Sequence, residues 1–165
     1  MQSCRAINRI ELMHDFRPFV FSRWVGYLKF NMIAYADQLI KSEERNNLLV
    51  KLIITINSNY HGRCLVVSDR LHHVDILARR IEELHVPVTR VTLQTKRTVD
   101  LKAMQRIIIG TKAVYEFVPS IRRVPNIVYA TPKSFKKRFL LFESKNIGRQ
   151  VCVDVANLTD CVARM

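Results

Sequence analysis

The period of apolar and polar positions changes several times along the chain, and each change marks an element. From about Ala34 the pattern is helical. ADQLIKSEERNNLLVKLIITINSN carries Leu39, Leu49, Leu52, Ile53 and Ile56 close to helical spacing, and the turn cluster Asn57, Ser58, Asn59 and Gly62 closes it. RCLVVSD, from Arg63 to Asp69, is a continuous apolar run that predicts a buried strand. In HHVDILARRIEELH, Val74, Leu77, Ile81 and Leu84 recur at i, i+3, i+7 and i+10, one apolar helical stripe, and Pro87 ends it. VTRVTLQT alternates and predicts a second strand, followed by a short helix over VDLKAMQ. RIIIGT predicts a third strand, and KAVYEF a helical turn or loop closed by Pro119. NIVYATP predicts a fourth strand, SFKKRFLLFE a basic helix, QVCVDVAN a fifth strand and LTDCVARM a short terminal helix. The first forty residues have no clear period; FRPFVFSRWVGYLKF is aromatic-rich and suits either a strand or irregular packing.

Strands alternating with helices imply crossover connections and a parallel sheet. The β-branched runs LVV, III and IVY suit strands buried on both faces. The fold class expected is α/β, a three-layer sandwich around a mainly parallel sheet of about five or six strands. Residues 1–40 are read as an N-terminal extension packed on the core and residues 41–165 as the main domain. Ligands of such sheets bind outside the carboxyl ends of the strands. Those ends hold Ser68-Asp69-Arg70, Gly110-Thr111-Lys112 and Ala130-Thr131-Pro132.

Length and charge narrow the function. A chain of 165 residues is the size of one domain and hides roughly 70% of its unfolded surface. With 27 Lys plus Arg against 14 Asp plus Glu, the net charge is +13, which attracts polyanions, nucleic acid first. The plain alternative is a solvated basic surface or a partner-docking face. Cys4, Cys64, Cys152 and Cys161 form no C-x-x-C pair, which points to no zinc site, no disulfide framework and an intracellular, reducing compartment, cytoplasm or nucleus. His61, His72, His73 and His85 lack metal-helix spacing. The N-terminus has no apolar targeting core, and NLLVKLIITI is too short to span a membrane, so no membrane partner is expected.

The glycines exclude one class of nucleotide site. Gly26, Gly62, Gly110 and Gly148 are all isolated, so there is neither G-x-x-x-x-G-K-[ST] nor G-x-G-x-x-G. Glu43-Glu44 and Glu82-Glu83 lie in helical patterns and suit solvated faces rather than a magnesium pair. Asp69 follows an apolar strand, where a turn residue is the commoner reading. No Ser/His/Asp or Cys/His constellation is present, and no catalytic residue is assigned.

Three stretches carry a family resemblance. SEERNNLLVKLI resembles the Arg-Asn helix, GRCLVVSDRLHHVDILARRI motif IV, and IIIGTKAVYEFVPSIRRVPNIVYATP motif V and the strand after it, in the C-terminal RecA-like lobe of superfamily 2 DNA helicases. The likeness is nearest to the helicases of large DNA viruses and phages. VCVDVANLTD resembles the last strand, so that roughly residues 40–160 are covered. The resemblance implies that Ser68, Arg70, Gly110 and Thr111 touch the phosphate backbone of DNA or RNA, with Lys112 beside them. A hydroxyl and a strand-end N–H can hold a phosphate oxygen, and an arginine adds a bidentate fork. The basic run Lys133, Lys136 and Lys137 would extend that grip from one helix face. The plain alternatives are a β-branched strand residue for Thr111, a solvated turn for Arg70 and a solvated helix face for the lysines.

The sequence also departs from the family. Counted without gaps from Thr111, the Glu-Gly-hydrophobic-Asp region holds Phe117, Val118 and Ser120, with Ser120 in place of the acid that couples nucleotide to nucleic acid. The motif VI positions hold Lys137, Leu140, Leu141 and Ser144. Sliding onto NIGRQVC recovers Gly148 and Arg149, the one nucleotide-binding candidate, but puts Cys152 at the arginine finger. The expectation is a phosphate-gripping lobe without ATPase activity of its own. No cofactor is expected, and ATP with magnesium would enter only if a separate P-loop lobe completed the site. The alternatives are half of such a split helicase, and a non-enzymatic protein-interaction scaffold with a helicase-lobe fold; a helicase N-terminal lobe or a replication or transcription protein is the protein partner considered.

Overall fold

The computed structural model describes residues 8–12, 21–24, 27–30, 32–92, 100–111, 113–114, 121–131 and 151–157. Its strands are β1 (Asn8–Leu12), β2 (Phe21–Trp24), β3 (Tyr27–Phe30), β4 (Cys64–Ser68), β5 (Val88–Val91), β6 (Ile107–Thr111), β7 (Asn126–Tyr129) and β8 (Val151–Asn157). Its helices are α1 (Met32–Lys41), α2 (Glu43–Asn59) and α3 (Leu71–Glu82). β7, β4, β6 and β5 form a four-stranded parallel centre, and β8 and β1 continue it, in the order β1-β8-β7-β4-β6-β5. β2 and β3 form a separate antiparallel pair. β1 pairs in parallel with β8, so part of the region read as an N-terminal extension is a strand of the sheet. The aromatic-rich segment supplies β2 and β3.

Strand alternation sorts the core into two layers. Cys64 and Val66 of β4, Ile107 and Ile109 of β6 and Val128 of β7 face one way, against Leu49 and Ile53 of α2 and Val74, Leu77 and Ile81 of α3. Leu65, Val67, Ile108, Ile127 and Tyr129 face the other way, against Val114, Ile121 and Val124. A strand buried on both faces needs apolar side chains at every position, and this is why LVV, III and IVY do not alternate. Each such side chain contributes on the order of 1.5–3 kcal/mol by leaving water.

Two helix boundaries differ from the pattern-based expectation. The long helical segment is two helices, split at Ser42. Its φ of −69° and ψ of 105° leave the helical region, and its Oγ accepts a 3.4 Å hydrogen bond from Arg45 N–H. A serine cap followed by Glu43 and Glu44 suits the positive end of a new helix. α3 stops before Leu84, which is 55% exposed and leaves the apolar stripe. His85 takes a φ of 58° there, and Val86 N–H reaches back to the Ile81 carbonyl, a left-handed cap that closes the helix ahead of Pro87. Among the described residues of VDLKAMQ there is one 3-10 turn, Leu101–Ala103. The expected helices over SFKKRFLLFE and LTDCVARM lie outside the described residues.

Candidate functional site

β7, β4 and β6 are neighbours, so their carboxyl ends come together along one edge of the sandwich. Ser68 and Thr111 are paired across β4 and β6. By alternation both lie on the face covered by α2 and α3. Ser68 is fully buried and Thr111 is partly exposed. Gly110 faces the other layer. A Cβ there would come within 3.1 Å of the Val91 carbonyl oxygen and 3.6 Å of Val114, so close packing against β5 is one reason for glycine.

The Ser68 hydroxyl belongs to a buried chain of hydrogen bonds. The Asn46 amide Nδ2 donates to the Ile40 carbonyl at 2.7 Å, which leaves Asn46 Oδ1 as an acceptor. His73 Nε2 lies 3.0 Å from that oxygen, so Nε2 carries the proton and Nδ1 is the acceptor. The Ser68 hydroxyl, 2.9 Å from His73 Nδ1, therefore donates to it, and its oxygen accepts from Arg70 N–H at 3.3 Å. Burial pulls the His73 pKa down to about 3, helped by the charge of Arg45 and then by His72, so the ring is neutral at physiological pH. Every link has one direction. The chain joins α1, α2, β4 and the start of α3 and leaves the Ser68 oxygen facing inward.

A second set of bonds ties the strand ends to each other. Asp69 N–H donates to Thr131 Oγ1 at 3.0 Å, and Ala130 N–H donates to the Val67 carbonyl at 2.8 Å. Arg45, 2% exposed on the first turn of α2, donates through Nη2 to the Ala130 carbonyl. Arg70 is the N-cap of α3, and no side-chain cap accepts at that helix start. Its guanidinium Nε sits 3.3 Å from Asp37 Oδ1 of α1, with the two side chains 37% and 53% exposed. Nε makes no hydrogen bond, so this is a loose ion pair.

The structure thus brings Ser68, Arg70, Gly110 and Thr111 to one edge. Lys112, Lys133, Lys136, Lys137 and Arg149 lie outside the described residues. Asn46 and Asp37 were not singled out in the sequence; Thr131 was named only as part of a strand end and His73 only among the histidines without metal spacing. Asn46 and His73 had a signal, being polar positions on helix faces otherwise apolar; Asp37 had none. Burial raises the Cys64 thiol to about 12, which leaves it unreactive in the sheet. Among the described residues, no group of three His, Cys, Asp or Glu could hold a metal ion. No described helix is long and apolar enough to cross a membrane. A groove of about 380 Å³ between α2 and α3 lies away from the strand ends. Its arginines are committed, Arg79 to Glu83 at 3.7 Å and Arg80 to Glu43 at 3.1 Å.

No protein-family model and no curated protein matches the sequence. Solved structures do match. The C-terminal part of the Fun30 ATPase domain is similar over 73% of this chain and 42% of its own, at 17% identity and a TM-score of 0.52. T4 UvsW is similar over 78% of this chain and 28% of its own, at 15% identity and a TM-score of 0.57. The helicase domain of Pyrococcus furiosus Hef is similar over 68% and 25%, at 11% identity and a TM-score of 0.53. The chain therefore spans between a quarter and about two fifths of those structures. Its fold is that of a RecA-like helicase lobe, an α/β sandwich on a parallel sheet.

Proposed function

We propose that this chain is a nucleic-acid-binding lobe of the superfamily 2 helicase type that grips the phosphate backbone at the carboxyl ends of β4 and β6. One observation carries the reading: the partly exposed Thr111 pairs across the sheet with Ser68, and the partly exposed Arg70 follows Ser68 by two residues at the N-terminus of α3. The first turn of α3 holds no acidic residue of its own, and its positive dipole end favours an anion. Arg70 supplies the charged fork and Thr111 a hydroxyl. Ser68, turned inward, acts by fixing Arg70 N–H. Lys112, Lys133, Lys136 and Lys137 would extend the track, and the +13 charge would draw the strand in.

Hydrolysis of ATP is outside this reading, since the chain has no P-loop motif. The second reading, half of an ATP-dependent helicase completed by a P-loop lobe, is favoured by the length of the similar structures, which are much longer than this chain. The missing arginine finger counts against it, and Arg149 is its one nucleotide-binding candidate. In that assembly Arg149 would face the nucleotide. A replication or transcription protein is a further candidate partner of the lobe.

Fluorescence anisotropy with single- and double-stranded DNA and RNA over a salt series tests the first reading. Binding with Kd on the order of micromolar at low salt is expected, with log affinity falling linearly against log salt. Arg70→Ala and Thr111→Ala should each weaken it, by about 1–3 kcal/mol for a charged hydrogen bond. Unchanged affinity in both variants overturns the reading. A gain of ATPase activity on mixing with a P-loop lobe supports the second one.

A further inference from the structure

We infer that Asp37 of α1 is an internal stand-in for phosphate, which occupies Arg70 in the unliganded lobe and is displaced when the backbone binds. The inference rests on the reading of Arg70 as a phosphate contact and adds how that contact is regulated. Three features carry it. The carboxylate lies 3.3 Å from Arg70 Nε, close enough for an ion pair. Nε makes no hydrogen bond to it, so the carboxylate does not use the fork geometry that a guanidinium offers. Both side chains are partly exposed, although Nε itself is covered, and a pair of partly exposed side chains holds weakly. An anion able to take two parallel hydrogen bonds from the same group would replace it at small cost.

α1 holds Arg70 in two separate ways. The Ile40 carbonyl anchors the buried chain through Asn46, His73 and Ser68 to Arg70 N–H. Asp37, three residues earlier on the same helix, meets the side chain. The backbone of Arg70 is thus fixed by neutral buried bonds, while its guanidinium is held by one exposed charge. Phosphate binding would exchange the second tie and leave the first intact. Asp37 thereby sets a threshold: the site answers to an anion that outcompetes a carboxylate.

The test is a double-mutant cycle read by anisotropy on single-stranded DNA over a salt series. Asp37→Ala is expected to raise affinity by about two- to fivefold, the range set by exposed ion pairs. That gain should vanish when Arg70→Ala is also present. Asp75→Ala removes one exposed negative charge from α3 and controls for net charge, so it should give a smaller gain that persists beside Arg70→Ala. Asp37→Asn, which keeps the side-chain shape, should behave like Asp37→Ala. If Arg70→Ala weakens binding but Asp37→Ala leaves it unchanged or lowers it, the stand-in is wrong and the phosphate contact stands. An equal gain from Asp37→Ala with and without Arg70 also overturns it. If Arg70→Ala has no effect, the phosphate contact fails, and the inference fails with it.

Discussion

The two ends of the parallel sheet use the same residue type for different purposes. At the amino end, arginines are spent on backbone carbonyls. Arg106 donates to the Asn57 and Tyr60 carbonyls at the end of α2, at 2.9 and 3.1 Å. Arg63 reaches the Lys102 and Met104 carbonyls, each at 3.4 Å. These cations close turns and complement the negative end of a helix dipole. At the carboxyl end the structural work is done mainly by neutral groups: Asn46, His73, Ser68 and Thr131. Arg45 joins them from its buried place under β7. The guanidinium of Arg70 is left with only a loose ionic tie among its described contacts. A basic composition therefore overstates the binding surface. What separates a structural arginine from a candidate contact is what its hydrogen bonds already hold.

Breaking the neutral chain should have the largest effect. Asn46→Ala leaves His73 Nε2–H and the Ile40 carbonyl without their partner, both inside the protein. Two such groups cost about 2–5 kcal/mol together, measurable by urea unfolding. A loss under 1 kcal/mol would mean that the carboxyl end is not held this way.

The amino end has its own weak point. Gly62 has a φ of 83°, and a Cβ there would lie 2.5 Å from Pro125 Cγ, a ring atom that cannot swing aside. Gly62→Ala should cost about 2–4 kcal/mol, from the left-handed backbone and the overlap combined. The same denaturation experiment reads it. Nucleic-acid affinity of the folded fraction should stay at the parent value, since this turn is far along the strands from Arg70.

A smaller and graded effect comes from acid. The unfolded chain protonates His73 below about 6.5, whereas the folded ring holds off until about 3. The unfolded state therefore binds more protons in that window. This group makes stability fall as pH drops from about 6.5 towards 3, by up to ~1.4 kcal/mol per pH unit, and adds no slope above the window. His73→Gln should remove that contribution. An unchanged acid slope in His73→Gln would show that the ring is not buried neutral in solution.

Some of this was legible in the sequence and some was not. The β-branched runs at Leu65–Val67, Ile107–Ile109 and Ile127–Tyr129 announced a doubly covered parallel sheet, and all three are in its centre. The strand ends named from topology, at Ser68, Thr111 and Thr131, do come together. The break at Ser42 was hidden because apolar spacing continues across it, and only the serine followed by two glutamates marks a cap. β1 was hidden because a short edge strand has little amphipathic signal. Asp37 was illegible for another reason: its partner is 33 positions away on a different helix, and no local pattern records that meeting. Ser68 lies at the strand end, but its buried hydroxyl is turned to His73 rather than outward, a direction that depends on His73 and Asn46, which only the folded chain brings to it.

The most direct test of the comparison is a charge-matched pair, Arg70→Ala and Arg106→Ala, titrated with single-stranded DNA across a salt series. Each removes one positive charge, one from each end of the sheet. Arg70→Ala should lower affinity about 5- to 150-fold and reduce the salt slope by about one, while Arg106→Ala leaves both at the parent value. Equal losses from the two variants would mean that DNA senses only the overall charge, and would contradict a grip at the carboxyl ends of β4 and β6.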